Sequence, residues 1–382
     1  MAGLSPSPRV DGQRMLADLR NLAAIGGQPD GGVDRVAGSA ADLEAREWLR
    51  TGMAAAGLRA WADDVNNIFG RAPQGSPPWL LVGSHTDTVP AGGRLDGAYG
   101  VIAALEVARV LVETGAPAAS RVEVVSFHDE EGVTGGGGLT GSRALLRGPH
   151  AGELSGYLEI HIEQGPVLEA EGLELAVVEG IVGIRRLNVT FEGEANHAGT
   201  TPYAARHDAG AAAGRLTSEV RELLYGVDPA MVGNVGVIRL EPGSPNVVPG
   251  RATLVVEVRA LSEPSLDRAC DAVIAAARRA AESNACRFAV ERGLVIDPVR
   301  MDAGVVAALE RVCERSGRPW KKMTSGAGHD AGAMASRVPA GMLFVPSRGG
   351  ISHSPREHTD DELLVGGCQA LLEAVVELIE VV

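Results

Sequence analysis

Aromatic side chains are scarce in this sequence: Phe, Trp and Tyr together make up 3% of its 382 residues. Few rings are available for stacking, which disfavours a lectin-like surface or a platform for single-stranded nucleic acid. Cysteine is also sparse. The residues Cys270, Cys286, Cys313 and Cys368 form no CxxC pair, which speaks against a zinc ribbon and against a disulfide scaffold. Any bound metal must then be held by histidine and carboxylate. No run of ~18 uncharged apolar residues could span a bilayer, and the N-terminal stretch MAGLSPSPRVDGQRM lacks the apolar centre of a secretion signal. The chain reads as cytoplasmic. Cationic residues are outnumbered, with Lys+Arg 35 against Asp+Glu 49 and a formal net charge of −14. Such a chain has no electrostatic reason to hold nucleic acid or an anionic membrane, which leaves a small molecule, a cation or a protein as partner.

What is present points to a folded enzyme-sized body. Hydrophobic residues reach 45% and charged residues 22%, enough apolar material for a sizeable core. At ~150 residues per domain the length predicts two or three domains. Glycine occurs 50 times, so the chain turns tightly or lets ligands approach its backbone in many places.

Apolar spacing predicts a helix over 42–57 with Gly57 as its stop. A buried strand is expected over 79–83, a helix over 97–114, a Val-rich strand over 121–127 and another strand over 157–163. This order is the signature of an α/β sheet with right-handed crossovers, in which ligands collect at the carboxyl ends of strands. From 186 the texture changes: strand 186–192, helix 208–225, strands 233–240 and 252–260, helix 265–283 and a last strand 287–291. That is a ferredoxin-like order, and an inserted second domain is the natural reading. After 302 helix and strand alternate again, ending in a helix over 361–381. The glycine run 135–138 is a local loop.

The sharpest constellation is GSHTDTVPAGGRLDGAYG at 83–100 together with HDEEG at 128–132. His85 and Asp87 lie two apart at a strand end and point the same way, one suited to bind a metal and the other to hold it. Asp96 follows a glycine turn and precedes a helix; a carboxylate there can bridge two cations, one on each oxygen. Glu130 and Glu131 are neighbours whose repulsion is relieved beside divalent ions, so one can be a ligand while the other acts as general base. An HxD alone is common by chance, and paired glutamates are usually a solvated face. It is their joint occurrence at successive strand ends that argues for a dinuclear site.

With these motifs, and with LEIHIEQGPVLE at 158–169, NHAGTTP at 196–202, PNVVPGRATLVVEVR at 245–259, SGAGHDA at 325–331 and SRGGISHSP at 347–355, the chain resembles the M20 metallopeptidase superfamily. The resemblance is to its amidase (hydantoinase/carbamoylase) branch of N-carbamoyl-L-amino-acid hydrolases, allantoate amidohydrolases and β-ureidopropionases. It covers nearly the whole chain, and several branch motifs occur in the right order. It implies an α/β fold: a discontinuous catalytic domain at 1–185 and 301–382 with a mixed sheet flanked by helices, and a ferredoxin-like α+β lid and dimerisation domain at 186–300.

The same resemblance implies a ligand set. One metal would be held by His85, Asp96 and His161, the second by Asp96, Glu131 and His353, giving two divalent ions per chain, zinc first with Mn, Co or Ni as alternatives. Asp87 would support His85, and Glu130 would be the general base. His161 stands where the peptidase branch is expected to place a carboxylate, which favours an amidase. His197 would stabilise the oxyanion, reaching into the site of a partner subunit in a homodimer; Asn246 and Arg259 would hold a substrate carboxylate, and Gln164 the carbamoyl end. His329 and Asp330 would line the pocket without an assigned role. The implied reaction is hydrolysis of a small N-carbamoyl (ureido) acid to an amino acid, ammonia and carbon dioxide. A deacylase or dipeptidase using the same site is the rival, and a non-catalytic, metal-stabilised binding protein the remote one. Departures from the branch are Val133 and Thr134, where Arg-Phe is usual, a shortened stretch at 147–156, and Tyr203 in place of Met.

Overall fold

The computed structural model describes residues 8–135 and 137–380, and divides into two compact units, one running to Ile181 and resuming at Arg300, the other spanning Val182–Val299. The expected boundary at 185/186 falls a few residues late, because the first strand of the second unit already begins at Gly183, and that at 300/301 falls next to the observed one. No helix among the described residues is long and apolar enough to cross a membrane.

The first unit is built on a mixed nine-stranded sheet. Its centre is four adjacent parallel strands, in the order Val122–Phe127, Trp79–His85, Leu154–Ile162, Ala340–Val345. Trp79–His85 and Val122–Phe127 are buried at every position, as expected for strands covered on both faces. Alternation sorts their side chains into two cores. Leu80, Val82, Val124, Leu158, Ile160 and Val345 pack with helices Ala40–Ala55, Ala98–Glu113 and Asp361–Glu380; Leu81, Val125, Phe127, Tyr157 and Phe344 pack on the opposite side with helices Thr140–Arg147 and Asp330–Met334. A period of two feeding two layers makes a three-layer α/β body.

The expected elements are found with modest shifts. Helix Ala40–Ala55 starts where the Ser39 hydroxyl accepts the Asp42 N–H, and Gly57 follows it at φ 78°. Helix Gly12–Ala24, the hairpin Arg59–Ala62/Ile68–Arg71 and strand Leu175–Ile181 stand outside the expected elements. That strand pairs parallel with Trp320–Ser325 and antiparallel with Ala340–Val345, so the sheet is mixed on this side. The last helix is described to Glu380; its expected end at Val381 lies outside the described residues, as does Gly136 of the glycine run.

The second unit is a four-stranded antiparallel sheet, ordered Arg287–Ile296, Gly183–Glu192, Arg251–Ala260, Val232–Glu241. In chain order this is four-one-three-two, the ferredoxin-like arrangement. Helices Ala209–Val227 and Glu263–Ser283 cover one face, where Leu187, Val189, Phe191, Leu254, Val256 and Val258 are buried against them. The strand expected to end at Glu291 continues to Ile296 through a register shift between Arg292 and Val295. Val232–Glu241 is an edge strand, with Val237, Ile238 and Leu240 between 39% and 46% exposed.

Candidate metal centre and active site

The carboxyl ends of the four central strands converge on one cluster. His85 closes its strand opposite Phe127, and the chain beyond Phe127 supplies Glu130 and Glu131. His161 stands next to the end of its strand, paired with Phe344, and the chain beyond Val345 supplies His353. Asp96 enters from the turn that leads into helix Ala98–Glu113.

Asp96 divides its two oxygens. Oδ1 lies 3.1 Å from His161 Nε2 and 3.6 Å from His85 Nε2, while Oδ2 lies 3.1 Å from His353 Nε2. Glu131 Oε1 is 3.4 Å from the same His353 nitrogen. Two groups able to hold a cation therefore share one carboxylate: His85, Asp96 and His161, and Asp96, Glu131 and His353. Glu159, His161 and His329 form a further such group, but the Glu159 oxygens are already occupied by the Ser84 hydroxyl at 2.6 Å and the Ala331 N–H at 2.9 Å.

The ring nitrogens test whether this donor set suits a metal. His85 Nδ1 is 3.0 Å from the Asp87 carbonyl, and His161 Nδ1 is 2.8 Å from the Ile162 carbonyl. A carbonyl only accepts, so both Nδ1 atoms carry protons and both Nε2 lone pairs are left facing carboxylate oxygens, that of His161 also accepting the Gly97 N–H at 3.1 Å. That arrangement is repulsive unless a proton or a cation lies between. Glu131 Oε1 is in addition buried without a hydrogen-bond partner among the described residues. Imidazole, carboxylate and an orphaned oxygen converge as a divalent ion requires.

The electrostatics follow from the same crowding. Burial opposes charge on His161, but the hydrogen bond and charge of Asp96 push it up to about 9. Asp96 likewise pushes His353 up to about 9 against burial. Burial opposes charge on Asp96 too, but the hydrogen bonds of His161 and His353 and the charges of His161 and His85 outweigh it and hold the carboxyl well below the usual carboxylate range. Glu130 goes the opposite way. Burial, then the negative charges of Asp330, Glu131, Asp96 and Asp87, raise its carboxyl well above the ordinary value. Its Oε2 is 3.7 Å from His85 Nε2 and its side chain is 11% exposed. This is a basic carboxylate at the edge of the cluster, outside both three-residue groups.

Asp87 touches His85 differently from the expectation. The hydrogen bond to His85 Nδ1 comes from the Asp87 backbone carbonyl, with the nearer carboxylate oxygen at 3.7 Å. The carboxylate instead accepts the N–H groups of Glu130 at 3.4 Å and Glu131 at 3.3 Å, and so fixes the paired glutamates. Gln164 donates from Nε2 to Asp96 Oδ2 at 2.6 Å, and its Oε1 is buried with no partner among the described residues.

In the second unit, His197 and Asn246 are brought together. Val247 pairs with His197 and Val248 with Asn196, and the Asn246 carbonyl accepts the Ala198 N–H. His197 Nδ1 accepts the Gly199 N–H at 3.0 Å, which leaves Nε2 to carry the proton on an exposed ring. Arg259 stands further along strand Arg251–Ala260, where its Nε and Nη2 reach Glu257 Oε1, both at 2.8 Å. Arg186, directly across from Glu257, holds the other oxygen at 2.5 Å.

Several contributors have no signal in sequence patterns. Arg35 is fully buried and donates to the carbonyls of Thr86, Leu22 and Ile25, anchoring the turn after His85. Glu357 and Ser352 bond to the Asp96 turn. Of the departures, Thr134 donates to the Asp129 carboxylate, which also accepts from Thr140, so it pins the start of the glycine loop; Val133 is exposed. The short stretch at 147–156 is tied by His150, which bonds Glu123 at 2.5 Å and Glu153 at 3.0 Å. Tyr203 is 86% exposed, with the Arg206 guanidinium 4.5 Å over its ring.

Comparison with known proteins places this geometry. The sequence model of Peptidase family M20/M25/M40 matches residues 81–377. The chain is 34% identical to an allantoate amidohydrolase of Bacillus subtilis (strain 168), over 94% of this chain and 95% of that one. It is equally 34% identical to an N-carbamoyl-L-amino acid amidohydrolase of Geobacillus stearothermophilus, over 97% and 99%. Among solved structures it is similar to an amidase of the hydantoinase/carbamoylase family from Burkholderia phymatum, with a TM-score of 0.90 and 36% identity over 99% of this chain and 100% of that one.

Proposed function

Because the chain belongs to Peptidase family M20/M25/M40, we propose that it hydrolyses the carbamoyl C–N bond of a small ureido acid at the Asp96 cluster. The chain is a hydrolase acting on carbon–nitrogen bonds. The observation that carries the finer reading is the shared Asp96 carboxylate, one oxygen turned to His85 and His161 and the other to His353, with the basic Glu130 beside it. Imidazole at position 161 and the amidohydrolase names of the relatives favour a linear amide over a peptide. His85, Asp96 and His161 would hold one divalent ion, and Asp96, Glu131 and His353 a second. Such ions supply Lewis-acid polarisation of the carbonyl and a more acidic water.

The remaining roles fall to this chain's own groups. Glu130 takes a proton from the attacking water and delivers it to the departing nitrogen. The buried Oε1 of Gln164 accepts from the carbamoyl NH2 of the substrate, while its Nε2 stays on Asp96. His197 presents an Nε2–H, the donor that a developing oxyanion needs. Arg259 and Asn246 hold the substrate carboxylate, the guanidinium by a planar fork. Hydrolysis then releases ammonia and leaves an N-carboxylated amine that falls to carbon dioxide and the amino acid. A homodimer paired through the exposed apolar edge strand Val232–Glu241 fits this reading, since such an edge is a template for a second copy.

The test is a screen of metal-reconstituted protein against N-carbamoyl amino acids, allantoate, N-acyl amino acids and dipeptides, with ammonia and amine read separately. Ammonia from ureido acids is expected. Amine without ammonia, from N-acyl or dipeptide substrates only, would transfer the site to the deacylase or dipeptidase reading.

A further inference from the structure

Glu357 lies far in sequence from Asp96 and is 3% exposed. Its Oε1 accepts the backbone N–H of Leu95 at 2.8 Å and of Asp96 at 3.0 Å, the two residues that carry the bridging carboxylate out of its turn. Its Oε2 accepts the Ser352 hydroxyl at 2.8 Å. Ser352 precedes His353, and its oxygen is also 3.0 Å from Asp96 Oδ2. One carboxylate therefore joins the turn that presents Asp96 to the loop that presents His353.

Both ends of this link need external support. The segment 86–97 lies outside helix and strand; the bridge of Gly92 with Val33 and the bond of Arg35 to the Thr86 carbonyl hold its earlier part, short of Leu95 and Asp96. His353 sits in the left-handed region at φ 52°, and its side chain is 48% exposed, so neither local conformation nor packing alone determines its direction. The turn is shaped to receive the link as well. A Cβ added to Gly93 would overlap the Glu357 carboxylate, although Gly93 is not among the residues of positive φ. The glycine is required by close approach and not by backbone conformation.

We infer that Glu357 is a positioning residue of the hydrolytic site, which sets the bridging carboxylate of Asp96 against His353 through the Leu95 and Asp96 N–H groups and Ser352, with Gly93 as its socket. The inference rests on the reading of His85, Asp96, His161, Glu131 and His353 as ligands. Outer groups that orient ligands are worth roughly 10- to 100-fold in metal affinity.

The experiment titrates chelator-stripped full-length protein with Zn²⁺ against a competing chromophoric chelator, alongside a melting curve of each stripped variant. Glu357→Ala and Gly93→Ala should each bind Zn²⁺ about 10- to 100-fold more weakly than the wild type. Glu357→Gln keeps an oxygen for both N–H groups and should stay within about threefold, well short of that loss. Wild-type affinity in a folded Glu357→Ala overturns the inference. So does a Glu357→Gln that binds as weakly as the alanine variant, since the negative charge and not the N–H acceptance would then matter. Should Glu357→Ala fail to fold, Glu357→Gln and Gly93→Ala carry the same contrast. A wild-type protein that takes up no Zn²⁺ sinks the dinuclear reading instead, an outcome visible before any variant is compared.

Discussion

Replacing Glu130 by glutamine exchanges one carboxylate oxygen for an amide nitrogen of nearly the same size, and so removes a base without removing a volume. Glu130 lies outside both ligand groups, and its Oε2 is 3.7 Å from His85 Nε2. The variant should therefore keep both metal equivalents. Its side chain is only 11% exposed, so bulk water has poor access to replace the lost base. Burial, then Asp330, Glu131, Asp96 and Asp87, raise the carboxyl well above its ordinary value, the direction that makes the carboxylate a stronger base. General-base assistance is worth ~10²–10⁴ in rate, about 2.7–5.4 kcal/mol at 1.36 kcal/mol per decade. Removing one charge from a group of like charges should leave the melting temperature unchanged or slightly higher. Metal content by elemental analysis, ammonia release and a melting curve measure the three quantities. A variant with turnover within about tenfold of wild type refutes the base assignment, and loss of a metal equivalent would make Glu130 a ligand.

Three further outcomes follow from other parts of the molecule. Arg259→Gln removes the planar fork; at about 1.5–3 kcal/mol for a charged hydrogen bond, KM for a ureido acid should rise roughly 10- to 150-fold with a smaller change in kcat, and an unchanged KM removes Arg259 from the substrate site. His150 is held above its ordinary pKa by the hydrogen bond to Glu123, with burial opposing and Glu153 assisting. A raised histidine contributes stability below its unfolded value of ~6.5 and loses it as pH rises through the folded value, so His150→Gln should lower the melting temperature more near pH 6 than near pH 9, and equal losses at both would contradict the pairing. Ile238→Lys, on the exposed edge strand, should convert the proposed homodimer to a monomer in sedimentation; a variant dimer that persists moves the interface elsewhere, and a monomeric wild type removes it.

The sequence exposes those parts of the site that depend on local order. His161 and His353 are implied as ligands only by the family resemblance, whereas His85, Glu130 and Glu131 stand at or just beyond the ends of strands whose apolar runs are plain, and Asp96 follows a glycine turn, so their convergence could be argued from strand ends. Glu357, Ser352 and Arg35 could not. Glu357 follows SHSPR and reads as one more surface charge, and only its burial and its bonds to residues about 260 positions away reveal its place. The Arg35 side chain donates to backbone carbonyls, a role that leaves no pattern in residue type. Among the omitted elements, helix Gly12–Ala24 carries Met15, Leu19 and Leu22 at helical spacing and was legible in principle, whereas the four-residue strands of the 59–71 hairpin are too short for any period to stand out. The Asp87 carboxylate, expected to support His85, stands 3.7 Å from His85 Nδ1 and accepts the N–H groups of Glu130 and Glu131, while the bond to Nδ1 comes from its backbone carbonyl: side-chain alternation sets the face of the strand, but not which atom of a residue just beyond it makes the bond.

The buried acids also fix how the chain should answer to chelation. Without a cation the carboxyls of Asp87, Glu130, Glu131 and Glu357 are raised first by burial, with Asp42 adding to Asp87 and Asp96 adding to the three glutamates, and Asp330 is pushed up to about 8 by burial and Glu159. An acid with a raised folded pKa binds its proton more tightly folded than unfolded, so its contribution is complete below the unfolded value of ~4 and is lost as pH climbs through the folded one. His161 and His353, pushed up to about 9, contribute below ~6.5 and lose it through about 9, in the same direction. Asp96, held low, contributes everywhere above ~4 and does not vary in this window. The stripped protein should therefore lose stability steadily from roughly pH 5 to 9. Divalent ions compete with those same protons and bind more tightly as pH rises, so the melting temperature gained on adding Zn²⁺ should widen between about pH 5.5 and about pH 8.5. A gain that stays constant or shrinks across that interval would mean that the ion binds away from the acid cluster, and would separate the acidic excess of this chain from its chemistry.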